Sequence, residues 1–296
     1  MFRLYPNFVY QIIDMAAAYF LFSDGKVLKQ DKLLISPNNR SFRYGDGFFE
    51  TMKWCKGKVL LEALHRERLM TTLEKLRFKP PSYFTADYIF EAIQELVKKN
   101  QHHHLARVRV TIYRGDGGIY DPQNHFPHLL IQSWDLNESN NKLNENGLTI
   151  GVFKEAVKQA DHFSLLKTNN YLGYAMAALW AKENHLNDAL LLNQQGNIAD
   201  ATIANIFLIQ NGSITTPALS EGPVGGVMRK YVLTQLREKG YEVKEGIVTA
   251  EDLANASEVF LTNAIYGMRW VKQCEKNAYD HQLVPVLYRE MIKPLF

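Results

Sequence analysis

The segment RSFRYGDGFFET, residues 40–51, is the part of the sequence that most constrains the fold. Two glycines flank Asp46, and Phe48 and Phe49 follow at once, a pattern typical of a glycine turn that leads into a strand. Such a turn on its own predicts only a loop followed by a strand. It gains meaning in combination with segments further along the chain.

The sequence on both sides of this turn predicts a mixture of strands and helices. Residues 20–28 contain two apolar runs around an Asp-Gly turn, the pattern of a hairpin. Apolar residues then recur at helical spacing over residues 64–76 and 88–97. Strict alternation over residues 106–113 predicts a half-buried strand.

The second half of the sequence predicts shorter elements. Strands are expected at 148–153, 189–193, 204–209, 213–216, 241–248 and 258–262. Helices are expected at 171–184 and 226–239. Because the order is mixed, we expect an α+β (mixed α/β) fold in two domains. The polar, Asn-rich stretch 136–147 predicts a linker between a small N-terminal α/β domain (16–135) and a larger C-terminal domain (148–296).

Composition narrows the class of protein. The chain has 296 residues, of which 46% are hydrophobic and 22% charged, as in an ordinary globular protein. Its net charge is only +3 and no basic block runs along one segment, so nucleic-acid binding has little electrostatic support. The two cysteines, Cys55 and Cys274, form no paired framework, which favours reduced thiols and a cytoplasmic location.

The N-terminal residues allow two interpretations of where the chain begins. Apolar residues 8–13 and 16–22 are interrupted by Asp14, and no clear cleavage site follows them, so neither a signal peptide nor a membrane span is expected. Met15 is an alternative start, which would make the first fourteen residues an extension.

Several charged residues have both a structural and a functional interpretation. Lys167 precedes a predicted helix and, if desolvated, would suit Schiff-base chemistry, although it is one of 34 Lys and Arg residues. Arg68 offers a planar fork that matches a phosphate, or lies on a solvated helix face. Asp200 is either a backbone hydrogen-bonding partner in a turn or an anion that faces a cationic ring. Gly225 and Gly226 precede a helix whose first amides form an anion site, without the spacing of a nucleotide-binding loop.

The run His102-His103-His104 does not predict a metal site. Adjacent histidines rarely converge on one ion, and no cysteine or carboxylate cluster lies beside them in the sequence. We therefore expect a solvated connector and no metal.

Six segments in order resemble the class IV aminotransferases, the family of branched-chain and D-amino-acid aminotransferases and aminodeoxychorismate lyase. They cover the chain from about Phe20 to Val271 and are RSFRYGDGFFET (40–51), HRERL (65–69), KTNNYL (167–172), ADATIANIF (199–207), GGVMR (225–229) and SEVFLTNAIYGM (257–268). The resemblance implies a two-domain fold-type IV enzyme like D-amino-acid aminotransferase, dependent on pyridoxal 5'-phosphate. It also implies a homodimer.

The resemblance carries roles onto particular residues. Lys167, in the C-terminal domain, would form the Schiff base and move the proton at the substrate Cα. The other cofactor-binding residues would be Arg68, Tyr171, Asp200, Thr202, Ile203, Val227 and Met228. The substrate side would involve Tyr44, Phe49, Arg107, Arg109, Ala264 and Ile265. Arg107 and Arg109 share one face of the predicted strand, so either or both could bind a carboxylate.

Three departures from the family pattern concern Asp200, Met228 and Ile119. Asp200 stands where the family has Glu, and we expect it to keep its role toward the pyridine nitrogen. Met228 replaces the threonine of G-I-T-R, as in the lyase branch. Ile119 stands where the lyases and the D-amino-acid enzymes have a carboxylate-binding arginine, although RGDGG (114–118) is similar to the lyase segment.

The leading expectation is an amino-acid aminotransferase that exchanges amino groups between an amino acid and a 2-oxo acid. The alternative is aminodeoxychorismate lyase, which forms 4-aminobenzoate and pyruvate. A remote alternative is a binding protein that keeps the fold without the chemistry. The expected partners are small-molecule amino acid and 2-oxo acid substrates, with no nucleic acid or membrane partner.

Overall fold

The computed structural model describes residues 20–296, and the alternative start and the absence of a signal peptide concern residues outside this range. The first part of the chain forms a six-stranded antiparallel sheet in the order β2-β1-β6-β5-β3-β4. Its strands are β1 (Phe20–Ser23), β2 (Lys26–Lys29), β3 (Gly47–Cys55), β4 (Lys58–Val59), β5 (Leu105–Arg114) and β6 (Pro127–Asp135). Its helices are α1 (Arg40–Tyr44), α2 (Glu62–Lys75) and α3 (Ala86–Lys99).

The second part forms a nine-stranded mixed sheet in the order β12-β11-β10-β13-β14-β7-β8-β9, with β15 paired to β14. Its strands are β7 (Leu148–Lys158), β8 (Asp188–Asn193), β9 (Ile198–Ala201), β10 (Asn205–Gln210), β11 (Ser213–Pro217), β12 (Val243–Gly246), β13 (Glu258–Asn263), β14 (Gly267–Cys274) and β15 (Asn277–Ala278). Its helices are α4 (Leu172–Glu183), α5 (Val227–Glu238), α6 (Ala250–Asn255) and α7 (Leu283–Leu287). The mixed α/β fold expected from the sequence is confirmed.

Alternation explains how the first sheet is built. Along β5, every second residue from Ala106 to Ile112 is buried against α2 and α3, whereas Arg107 and Arg109 face the other way. The predicted alternation of this strand is confirmed residue by residue. One face of the sheet therefore forms a hydrophobic core, and the opposite face carries charged side chains.

The second sheet is covered on both faces. In β10, Ile206 and Leu208 pack into one buried cluster, and Phe207 and Ile209 pack into another that includes α5 and α7. Strands buried on both faces have near-continuous apolar sequence, which is why the short apolar runs of this half were recognisable as strands.

The glycine turn at residues 45–47 is fixed by geometry and charge. Gly45 ends α1 with a φ of 66°, a conformation that favours glycine. A Cβ on Gly47 would lie 2.6 Å from the carbonyl oxygen of Ile112 on the neighbouring strand. Asp46 accepts hydrogen bonds from Arg40 and Arg114, at 2.8 and 2.6 Å. The turn therefore fixes the position of β3 beside β5.

One local prediction was wrong in part. In the connector expected to be solvated, His103 and His104 are exposed, but His102 is buried, and its Nδ1 lies 2.7 Å from Oδ1 of Asp135. The described residues contain no helix with the length and apolar character to cross a bilayer.

Candidate active site

The segment that contains Lys167 lies between the two sheets and is hydrogen-bonded to both halves. The amide of Phe49 on β3 donates to the carbonyl of Lys167 at 2.9 Å. On the other side, the amide of Gly225, in the turn before α5, donates to the carbonyl of Leu165 at 2.9 Å. Backbone contacts to both halves therefore fix the position of Lys167.

The side chain of Lys167 is unpaired and desolvated. Its Nζ lies 4.6 Å from the centre of the Phe49 ring, and no hydrogen-bond acceptor or carboxylate pairs with it among residues 20–296. Burial lowers the pKa of Lys167 to about 8, and the charge of Arg68 adds to this effect. A neutral amine is therefore accessible near neutral pH, as a nucleophile or general base requires.

Arg68 on α2 is held by a buried carboxylate. Its Nε and Nη2 donate to Oε1 and Oε2 of Glu50, each at 2.6 Å, and His65 Nδ1 lies 2.8 Å from the same Oε2. Burial raises the pKa of Glu50, but Arg68 and His65 outweigh it and bring it down to about 2. The remaining Nη1 of Arg68 donates to the carbonyl of Gly225 at 3.0 Å. Arg68 therefore extends to the turn in front of α5.

The N-terminus of α5 has the features of an anion site. The helix begins at Val227 without a side-chain cap, and the amides of Val227 and Met228 have no partner among the described residues. Asn205 shapes the preceding turn, because its Nδ2 donates to the carbonyl of Val224 at 2.8 Å. A Cβ on Gly226 would overlap Oδ1 of Asn205, so only glycine fits there. The unpaired amides and the helix dipole favour a negative charge at this point.

Asp200 on β9 is buried and accepts hydrogen bonds from three protein groups, chiefly through Oδ2. Its Oδ2 accepts from Lys158 Nζ at 2.8 Å, from the Tyr174 hydroxyl at 2.9 Å and from the Val224 amide at 2.9 Å. Its Oδ1 has one longer contact, from the same hydroxyl at 3.2 Å. The carboxylate therefore lies next to the turn that leads to α5, with an acceptor oxygen that is not saturated.

The face of β5 opposite the hydrophobic core, called the cleft face below, carries two guanidinium groups without carboxylate partners. Cζ of Arg109 lies 3.6 Å from the centre of the Phe49 ring, the same ring that Lys167 contacts. Arg107 lies near Trp134, and its buried Nε has no hydrogen-bond partner. Within residues 20–296, neither arginine forms an ion pair. Arg109 shares the Phe49 ring with Lys167, and Arg107 lies two residues away on the same face of β5, so these guanidinium groups can bind the carboxylate of a ligand.

The remaining predicted residues occupy more varied positions. The ring of Tyr171 lies edge-on to Phe49 at 5.9 Å, whereas Tyr44 contacts Tyr120 at 5.9 Å. The hydroxyl of Thr202 donates to Asp188, and Ile203 is exposed.

Ala264 and Ile265 belong to a turn between β13 and β14. Oδ1 of Asn263 accepts from the amides of Ile265 and Tyr266 at 3.0 and 2.9 Å and so shapes the turn. The carbonyl of Ile265 accepts from Lys53 Nζ at 2.8 Å, which links this turn to β3.

Sequence reasoning missed four residues that shape this site. Glu50 and His65 lie inside two of the segments that resemble the family, RSFRYGDGFFET and HRERL. Their presence in these segments, which also include Arg68, was the available signal. Lys158 and Tyr174 carried no sequence signal, because only the folded chain brings them to Asp200.

Comparisons of the sequence with known proteins identify its family. The family model for amino-transferase class IV matches residues 47–274. Aminodeoxychorismate lyase of Vibrio harveyi is 30% identical over 232 residues, covering 78% of this chain and 83% of that protein.

Two solved structures share the fold. The branched-chain aminotransferase of the thermophilic archaeon Thermoproteus uzoniensis, solved with norvaline, has a TM-score of 0.84 at 21% identity, over 93% of this chain and 94% of that chain. A putative 4-amino-4-deoxychorismate lyase of Legionella pneumophila has a TM-score of 0.79 at 22% identity, over 88% of this chain and 95% of that chain. At these identities the likeness shows the fold alone.

The match of the family model begins at Gly47, the last residue of the glycine turn, and includes the Lys167 segment and the start of α5. The chain therefore belongs to the class IV aminotransferase family, whose members are pyridoxal-phosphate-dependent enzymes.

Proposed function

We propose that this chain is an amino-acid aminotransferase that exchanges amino groups between an amino acid and a 2-oxo acid. The observation that carries the proposal is the unpaired amine of Lys167 beside the unpaired guanidinium of Arg109, both in contact with Phe49. One group can act at the substrate Cα while the other holds a carboxylate.

The donor groups of the site fit pyridoxal 5'-phosphate. Arg68 and the free amides of Val227 and Met228 offer a cation and a helix N-terminus to the phosphate. Lys167 would bind the cofactor through its ε-amino group, and Asp200 would face the ring nitrogen. When bound, the cofactor supplies an aldehyde that condenses with amines and an electron-withdrawing ring. Thr202 and Ile203 are also proposed to contact the cofactor.

The residues of the chain divide the work of the reaction. Lys167 in its neutral form takes and returns a proton at the substrate Cα, because burial keeps the pKa of its amine near 8. Arg109, with Arg107 on the same face, binds the substrate carboxylate and so orients the Cα. The ring of Phe49 covers the amine of Lys167 and limits access of water, and the ring of Tyr171 packs edge-on against Phe49. The turn at Ala264 and Ile265, together with Tyr44, is proposed to complete the substrate side.

A second candidate is aminodeoxychorismate lyase. Met228 in place of threonine and the segment RGDGG at 114–118 favour it, as does the similarity to the Vibrio harveyi protein of that name. The two activities differ in one simple requirement. The lyase releases pyruvate from aminodeoxychorismate without any 2-oxo acid, whereas the aminotransferase needs both an amino donor and a 2-oxo acceptor.

The first experiment tests the cofactor. Protein purified with pyridoxal 5'-phosphate should be yellow, and borohydride should fix the cofactor on Lys167, which mass spectrometry of peptides detects. The matched control is Lys154→Met, at an exposed lysine of β7, which should retain the adduct. A colourless protein with Lys167 intact and no adduct would favour a fold-retaining binding protein.

The second experiment tests the reaction and the substrate carboxylate. Adding leucine or glutamate should convert the bound cofactor to its amine form, and a 2-oxo acid should reverse the change. In Arg109→Met, KM should rise about 10- to 100-fold, because a charge-assisted contact worth roughly 1.5–3 kcal/mol is lost. Arg289→Met, at an exposed arginine near the C-terminus, is the control. Pyruvate release from aminodeoxychorismate without added 2-oxo acid would instead establish the lyase.

We further propose that the protein is a homodimer in the cytoplasm. An exposed apolar stripe on α4, formed by Leu172, Met176 and Leu179, supports a second copy as partner, because helical spacing brings the three side chains to one face. Cys55 and Cys274 are both buried and unpaired, as expected for a reducing compartment. Light scattering of the wild type and of Met176→Glu should give a dimer and a monomer, respectively; a monomeric wild type would contradict the proposal.

A further inference from the structure

A buried lysine forms an ion pair with Asp200. Nζ of Lys158 lies 2.8 Å from Oδ2, and the two side chains are only 10% and 2% exposed. The family pattern assigns to this carboxylate the partnership with the cofactor ring nitrogen. In this chain, the same carboxylate already has a cation as its partner.

The backbone of β7 explains why Lys158 points to Asp200. The pairing of β7 with β8 shifts register between Phe153 and Val157, and beyond the shift Lys158 lies opposite Asn193. Lys154, within the irregular segment, is exposed, whereas the side chain of Lys158, beyond it, is only 10% exposed. The bulge therefore turns Lys158 toward the interior.

The charged and titratable groups around Asp200 come from three elements and from the segment before α4. Lys158 on β7 and Tyr174 on α4 contact it directly. Asp188 on β8 and Lys167 in the segment before α4 are close enough for their pKa values to respond to its charge. Burial raises the pKa of Tyr174 well above its ordinary value, so its phenol is a neutral donor. The Lys158–Asp200 pair thus carries no net charge, while Oδ1 retains room for another donor.

We propose that Lys158 is a positioning residue that shares the charge of Asp200 and so leaves the cofactor ring nitrogen less strongly protonated than a carboxylate without a cation would. The proposal rests on the proposed function, which puts the ring nitrogen against Asp200. A carboxylate favours a protonated ring because its negative charge stabilises the positive one. A lysine cation 2.8 Å from that carboxylate opposes this effect, since like charges disfavour each other in a poorly solvated site. Lys158 therefore sets how strongly the ring withdraws electrons.

The protonation state of the ring nitrogen can be measured directly. The wild type, Lys158→Met, Lys158→Arg and the control Lys154→Met are reconstituted with pyridoxal phosphate labelled with ¹⁵N in the ring, and the nitrogen resonance is followed against pH. We expect Lys158→Met to keep the ring protonated to a pH about one unit higher than the wild type, a tenfold change in the protonation constant. Lys158→Arg and Lys154→Met should titrate like the wild type.

Each alternative result has a distinct meaning. An unchanged titration in Lys158→Met, or the same shift in Lys158→Arg, would overturn the role of the Lys158 charge. A wild-type ring nitrogen that stays protonated beyond roughly pH 9 would overturn it without any variant, so a Lys158→Met protein that fails to fold does not block the test. If the wild type binds no cofactor and borohydride leaves Lys167 unmodified, the proposed function fails first.

Discussion

Replacing Glu50 by Gln should destabilise the protein strongly, although Glu50 is expected to touch neither cofactor nor substrate. Glu50 is 1% exposed, and its pKa falls from an ordinary 4.5 to about 2 because Arg68 and His65 outweigh the effect of burial. One pKa unit corresponds to about 1.4 kcal/mol, so the ionised carboxylate contributes about 3 kcal/mol to folding. Gln cannot form the ionic pair with both nitrogens of Arg68, and a partly buried cation is left without its partner.

The assay is urea unfolding of the cofactor-free protein, compared through the change in midpoint. The control is Glu67→Gln on α2, the helix that carries Arg68, because Glu67 forms an exposed pair with Lys230 whose loss should cost less than about 1 kcal/mol. The folded-state pKa of Glu50 is depressed, so its contribution is complete above pH 4.5 and is lost as the pH falls toward 2. The gap between wild type and Glu50→Gln should therefore narrow over that interval. Equal midpoints for Glu50→Gln and Glu67→Gln at pH 7 would refute the reasoning.

Three further predictions concern single residues. Gly226→Ala should weaken cofactor binding at least tenfold in a fluorescence titration, because the new Cβ would overlap Asn205 Oδ1. The control Gly173→Ala, whose Cβ would lie 3.6 Å from its nearest atom, should bind the cofactor normally, and equal affinities of the two variants would contradict the steric argument. Covalent capture of pyridoxal phosphate by Lys167, measured by borohydride trapping, should accelerate as the pH rises through about 8 and then level off, since only the neutral amine attacks; a flat profile would disprove the lowered pKa. Thr249→Ala should reduce stability by about 1 kcal/mol in urea unfolding, because its hydroxyl caps α6; an unchanged midpoint would show that the capping box contributes nothing.

Local sequence patterns predicted the elements whose periodicity is simple. The alternation at 106–113 and the helical spacing at 64–76 and 88–97 match β5, α2 and α3, because each of these elements buries one face and exposes the other. β14 was not predicted, since both of its faces are partly covered and its sequence does not alternate. β6 and β9 were likewise not recognised as strands.

The segments proposed to form the cofactor half of the site could be named from the sequence, but the contacts between them could not. Lys167 and Arg68 could be named because their segments match the family pattern. The partnership of Lys158 with Asp200 depends on a register shift in β7, and an irregular strand breaks the two-residue period on which sequence reasoning relies. The assignment of residues 136–147 as an interdomain linker stays a prediction.

The alternating faces of β5 have a consequence for changing what this protein accepts. Residues on one face of the strand belong to the hydrophobic core, while Arg107, Arg109 and Thr111 face the cleft. Lys167 is supplied by a different segment, and its backbone partner on β3 is an amide whose hydrogen bond does not depend on these three side chains. A combinatorial library restricted to positions 107, 109 and 111 would thus vary the ligand-facing surface while conserving both the core and the reactive amine. This strand is the natural starting point for directed evolution of new specificities.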